Sequence, residues 1–245
     1  MNLRIETDRA IGSGVSATVY KGHLKKDQGN GSFERVVVAA KFAHTYSSQS
    51  SKKAMMREIE LMKTLKPHIN IIKFYGCILK IEQPAVITEF CVRNDLLKHL
   101  RAHKLHFLTD ERCDEVEVCL LLPDLLQIAS EVCSAMVHLS SLGLVHRDLA
   151  ARNVFLTDDL TAKVGDCGLC CPIDKITREE KLPVTHMAFE SLKFGEFSEK
   201  SDVWSFGCLI FEMFNGGQRP FSDFTVDELV SPLEEDRKPR FSEDA

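Results

Sequence analysis

HRDLAARN, residues 146–153, places two cations, a carboxylate, an amide and an imidazole in eight positions. It follows an apolar-periodic run over residues 128–144, read as a helix with Ile128, Val132, Ala135 and Leu139 on one face and Pro123 suiting its first turn. So much polar hardware at a helix exit reads as a loop built for chemistry. Asp148 can accept a proton from an incoming hydroxyl, and Asn153, five residues on, can offer an amide oxygen to a hard cation. VGDCG, residues 164–168, then adds a second carboxylate, Asp166, suited to bind Mg2+. Taken singly, each is equally well a turn aspartate or a capping asparagine; the information lies in what precedes them.

Upstream, residues 5–43 read as strands. The β-branched runs ATVYKG and RVVVAAKF flank a turn-rich DQGNGS at residues 27–32. GSGVSA, residues 12–17, is a glycine turn followed by a strand. A dinucleotide-binding turn should open a helix instead, so a flap whose backbone N–H groups can lie over phosphates fits better. Residues 51–65 read as a helix, with Met55, Ile59, Met62 and Leu65 at helical spacing. Glu58 falls inside that apolar stripe. A buried carboxylate needs a cation, and Lys41, alone in an apolar strand, can supply it. Two more strands are expected over residues 71–79 and 85–91, a short helix over 95–102, and a charge-mixed surface insertion over 104–119.

Strands first and helices after imply an α+β chain: a small β-rich lobe (1–90) with one helix, and a mainly helical lobe (91–245), hinged near Cys91. Hydrophobic residues make up 44% and charged residues 27%, ordinary for a chain that buries a core. A formal charge of −5 argues against nucleic acid as a partner. The apolar stretches near residues 119–126 and 208–214 are too short to span a bilayer, and the N-terminal residues show no secretory signal. Nine cysteines, an odd number, are read as reduced thiols with no metal-ligand spacing, mostly packed as small core hydrophobes.

A glycine flap, then Lys41, Glu58, HRDLAARN and DCG, in that order, resembles a protein kinase domain. HRDLAARN, LPVTHMAFESL (182–192) and SDVWSFG (201–207) make the chain similar to receptor-type tyrosine kinases, in a layout like that of fibroblast growth factor receptor kinase domains. The resemblance runs over residues 5–241 and implies an ATP- and Mg2+-dependent transferase that phosphorylates tyrosine on protein substrates. A nucleotide-binding pseudokinase scaffold is the alternative. By this match Ile11, Gly12, Ser13, Gly14 and Val15 form the flap over the phosphates. Val19 and Ala39 lie above the adenine and Phe155 below it. Glu89 and Cys91 offer hinge backbone, and Thr88 is the gatekeeper. Lys41, oriented by Glu58, contacts the α- and β-phosphates. Asn153 and Asp166 hold the metal, Asp148 is the base with Arg152 beside it, and Asp202 braces the catalytic-loop backbone. The resemblance also implies a cytoplasmic address, at the plasma membrane's cytoplasmic face if a parent receptor carries the domain, and dimerisation in that setting.

The departures are local. Cys167 stands where the family has the Phe of DFG, in a column mapped onto Met62, Phe74 and His146, which its smaller side chain is expected to loosen. Phe189 replaces the Pro of APE, and His186 the usual Trp. Residues 169–181 contain no tyrosine, which leaves Thr177 or Thr185 as substitutes for the family's phosphorylation switch. The helix expected over residues 203–214 is apolar on nearly every side, while the chain stops at Ala245 without the family's last helices. That combination predicts a C-terminally truncated domain with Trp204, Leu209, Ile210, Phe211 and Phe214 forming an exposed patch, unless residues 220–241 fold back over it.

Overall fold

The computed structural model describes residues 2–14, 16–27, 29, 32–102, 121–175, 184–222, 224 and 228–229. Val15, the 104–119 insertion, Thr177 and the chain beyond residue 229 lie outside them. The chain forms two compact units. The first comprises Met1–His68, Ile72–Phe90 and Asp166–Gly168, and the second Ile69–Ile71, Cys91–Gly165 and Leu169–Ala245.

The first unit is a five-stranded antiparallel sheet with one helix. The strands are β1 (Asn2–Ser13), β2 (Ala17–Asp27), β3 (Phe33–Ala43), β4 (Phe74–Ile78) and β5 (Ala85–Glu89), in the order β1-β2-β3-β5-β4. Strand alternation sorts β2 and β3 into two faces. Leu24, Val38 and Ala40 point into a core completed by Ala85 and Ile87. Val19, Ala39 and Lys41 occupy the alternate positions, with Val19 directly opposite Lys41. The helix α1 (Gln49–Thr64) begins at Ser48, whose hydroxyl accepts the Ser51 N–H at 3.2 Å. Its inward stripe puts Met55 and Ile59 against Ala17, Ala43 and Val86. The same spacing carries Glu58 inward to 6% exposure.

In the second unit, α2 (Leu96–Ala102) comes soon after Cys91, and α3 (Leu122–Ser141) has its proline in the first turn. Leu125, Ile128, Val132, Ala135 and Leu139 are all buried along one face of α3. The helix ends at Ser141, short of the sequence expectation, because the chain turns at Gly143 (φ 70°), the left-handed region that glycine occupies without strain. Leu144 therefore belongs to a short strand, β6 (Leu144–Val145), and HRDLAARN follows that strand rather than a helix. The hairpin β7 (Val154–Leu156) and β8 (Ala162–Val164) comes next. Asn70 anchors it, accepting from Val164 N at 2.8 Å and donating from Nδ2 to Ala162 O at 3.1 Å. The strand β9 (Cys171–Pro172) pairs with β6, and two helices follow, α4 (Phe189–Phe194) and α5 (Glu199–Phe214).

The expected apolar patch on α5 does not form. Leu209 and Met213 are fully buried, Phe211 is 5% exposed, and Trp204, Ile210 and Phe214 are partly buried. Of the helix's large apolar side chains only Val203 is exposed, at 69%. The chain after α5 turns back over it. Phe221 stacks on Trp204 with centroids 6.4 Å apart and planes 5° apart, and Phe221 and Leu229 form a small core with Val184, Phe189 and Leu192. Dispersion and burial favour that return over a wet aromatic face.

Candidate active site

In the first unit one ammonium meets two carboxylates. Lys41 Nζ lies 3.1 Å from Glu58 Oε2, 3.3 Å from Oε1, and 2.6 Å from Asp166 Oδ1. Strand β3 delivers the lysine, α1 the glutamate, and a residue with φ 52° the aspartate. That left-handed backbone is a conformation Asp tolerates better than most side chains, and it recurs where a site over-determines the chain. Burial pushes the Lys41 ammonium down, but Glu58 and Asp166 more than reverse it, so its pKa stands well above the usual lysine value. Burial raises the Glu58 carboxyl; Lys41 opposes the shift, Asp166 adds to it, and the net direction is upward. Gly168 leaves the space this arrangement needs, since a Cβ there would lie 3.2 Å from Asp166 Oδ1 and 3.5 Å from Glu58 Oε2.

The remaining first-unit residues singled out by sequence line the sheet. Gly12 and Ser13 end β1 opposite Val19 and Thr18, Ile11 is partly buried beside them, and Gly14 donates its N–H to Ala17 O at 2.9 Å. Ala39 faces Thr88 across the β3–β5 pair. The Glu89 N–H is committed to Lys73 O at 2.8 Å, so a ligand would meet Glu89 through its carbonyl.

In the second unit HRDLAARN is held by backbone bonds to side chains far along the chain. Asp202 of α5 accepts from His146 N at 2.7 Å and from Arg147 N at 3.0 Å. Burial raises the Asp202 carboxyl, opposed by His146, by the two backbone N–H groups and by Arg147; the net direction is upward. Arg147 takes φ 65° and donates from Nε to Leu169 O at 2.8 Å. Arg152 pairs with the Asp148 carboxylate four residues earlier, and Asn153 Nδ2 donates to Asp148 O at 2.7 Å. With its nitrogen so engaged, the amide oxygen is the Asn153 atom that could meet a cation. Phe155 lies on β7, bridged to Asp95, and Cys91 is 6% exposed with its carbonyl accepting from Asn94 N at 3.2 Å.

Sequence reasoning missed two features. Glu212, buried on α5, accepts the Ala151 N–H at 2.7 Å, a second side-chain bond to the same loop. A glutamate inside an apolar helix was the available signal, the same one that found Glu58. Cys167 and Cys170 also stand at C-x-x-C spacing. Among the described cysteines none is in a disulfide; Cys167 is buried and Cys170 partly so.

Comparisons with known proteins identify the family. The model of the protein tyrosine and serine/threonine kinase family matches residues 5–245. A Caenorhabditis elegans protein named as a tyrosine-protein kinase is 39% identical over 95% of this chain and 29% of its own length. The Drosophila melanogaster tyrosine kinase receptor Cad96Ca is 33% identical over 93% of this chain and 30% of its own. The pig NT-3 growth factor receptor is 32% identical over 87% and 28%. The chain thus spans less than a third of these relatives. It belongs to the protein tyrosine and serine/threonine kinase family.

Proposed function

We propose that this chain is an ATP- and Mg2+-dependent protein tyrosine kinase domain. The observation that carries the reading is Lys41 held between Glu58 and Asp166, a fixed cation beside a metal-binding carboxylate. The flap residues Gly12–Gly14, with Val19, Ala39, Thr88, Glu89, Cys91 and Phe155, would bind the nucleotide. Asn153 and Asp166 would hold Mg2+, which when bound neutralises charge on the phosphates.

This chain's own residues do the rest. Lys41 stabilises negative charge on the phosphate chain, and Glu58 keeps its head in place. Asp148 accepts the proton of the tyrosine hydroxyl, positioned by Arg152 on its carboxylate and Asn153 on its carbonyl. Asp202 fixes the loop from which Asp148 projects. The Drosophila and pig relatives are named as receptors, which supports a membrane address through a parent receptor; among the described residues no helix is long and apolar enough to cross a membrane.

Cys167 in the DFG position favours a second reading, a nucleotide-binding scaffold. Incubation with MgATP and a tyrosine peptide, read by phosphotyrosine detection beside nucleotide titration, separates the two. Transfer abolished by Asp148→Asn establishes the kinase. Binding without transfer leaves the scaffold, and no binding overturns both.

A further inference from the structure

His186 and Glu212 form a buried pair that the reaction as described leaves unused. His186 is 3% exposed, as is Glu212, and His186 Nε2 lies 3.2 Å from Glu212 Oε2. The same Oε2 accepts the Ala151 N–H at 2.7 Å, one residue before Arg152 and three after Asp148. His186 is itself fixed. Thr185 Oγ1 lies 3.0 Å from Nδ1, and Ser205 of α5 donates its hydroxyl to the His186 carbonyl at 2.8 Å. The tautomer that lets Thr185 donate to Nδ1 puts the ring proton on Nε2, the nitrogen nearer the carboxylate. The contact runs off the N–H axis, so what it offers is electrostatic attraction in a dry site.

A carboxylate this deeply buried needs more than one backbone N–H to stay where it is. Without His186, Glu212 has reason to swing away, and that change loosens Ala151. We propose that His186 is a positioning residue: it holds the Glu212 carboxylate on the Ala151 amide and so ties residues 184–188 to the loop that carries Asp148. For its catalytic consequence the proposal rests on the kinase reading. The structural part stands apart from it, because the Ala151 amide reports the brace directly.

The test is hydrogen exchange of backbone amides in 15N-labelled protein, with peptide turnover measured in parallel. His186→Phe keeps a flat ring and removes both nitrogens. Ala151 exchange, taken relative to the α3 core amide of Ile128, should rise tenfold or more, while His146 and Arg147, bonded by Asp202, stay protected. His186→Gln restores an N–H donor and should restore protection. In turnover, His186→Phe should lower kcat about tenfold with the peptide KM little changed, and His186→Gln should recover it. Glu212→Gln is an independent arm: it weakens the same acceptor at equal volume, so Ala151 exchange should rise there whether or not the Phe variant folds. Unchanged relative exchange at Ala151 in both arms, or equal loss in the Phe and Gln variants of His186, overturns the proposal. Loosened Ala151 in a protein that transfers no phosphate at all supports the brace and sinks the kinase reading instead.

Discussion

Lys41 and Glu58 meet at 3.1 Å across the strand–helix interface of the first unit, with the glutamate side chain 7% exposed and the lysine 26%. The burial is asymmetric: the glutamate side chain is dry, while the lysine side chain is partly exposed. A buried carboxylate needs its cation in a structural ion pair and in a phosphate-contacting one alike, so turnover decides between them.

Lys41→Met should lower turnover about 10²–10³-fold, the usual loss of one electrostatic stabiliser, and weaken nucleotide binding by less than about tenfold. Single-turnover phosphorylation beside nucleotide titration reads both. Equal turnover removes Lys41 from the mechanism.

Gly168→Ala probes the same cluster from the side. Its Cβ would stand 3.2 Å from Asp166 Oδ1, tighter than an ordinary contact, so the carboxylate must give by a few tenths of an ångström and its bond to Lys41 is strained. Turnover should fall at least tenfold with a melting temperature changed by only a few degrees, since an alanine at this position buries no polar group. Retained kcat would show that the carboxylate has room to yield.

Cys167 is 1% exposed, so a phenyl ring there must find its volume inside the core. Cys167→Phe should cost roughly 1–3 kcal/mol in a denaturant melt, the penalty of overpacking. A gain in stability would show that the small thiol leaves a void.

Cys208 sits on the buried face of α5, and burial, with the charge of Glu212 adding, pushes its thiol up to about 12. At pH 8 only about one molecule in ten thousand carries the thiolate, so iodoacetamide should label exposed Cys133 and spare Cys208. The sign of the stability effect follows. Above the ordinary value of 9.0 the unfolded thiol loses its proton while the folded one keeps it. Stability attributable to Cys208 should therefore fall by about 1.4 kcal/mol per pH unit between pH 9 and 12. Cys208→Ala should flatten that part of the profile, and an unchanged slope refutes the assignment.

Phe221→Ala tests what covers α5. Removing the ring stacked on Trp204 should cost about 3–5 kcal/mol and raise the exposure of the indole, seen as a red shift in the emission of the chain's single tryptophan. A shift with no loss of stability would mean that the return of the chain is incidental to packing.

Much of this protein is written locally. β-branched runs on either side of a turn-rich stretch placed β2 and β3, the 3.6-residue stripe placed α1 and α3, and the order of Gly12, Lys41, Glu58, HRDLAARN and Asp166 marked the family. Even the Lys41–Glu58 pairing was legible, because a carboxylate inside an apolar stripe announces that it needs a partner. Tertiary structure decided the rest. Asp166, 125 residues from Lys41, arrives as the second carboxylate through a left-handed backbone that periodicity does not encode. Glu212 and His186 face each other only because α5 packs beside the 184–188 stretch. The apolar α5 suggested a wet patch because sequence shows which faces need cover but not which distant segment provides it. Phe221 and Leu229 do so through a chain reversal, and such long-range returns are fixed by the sum of packing over the whole core rather than by any neighbouring residue.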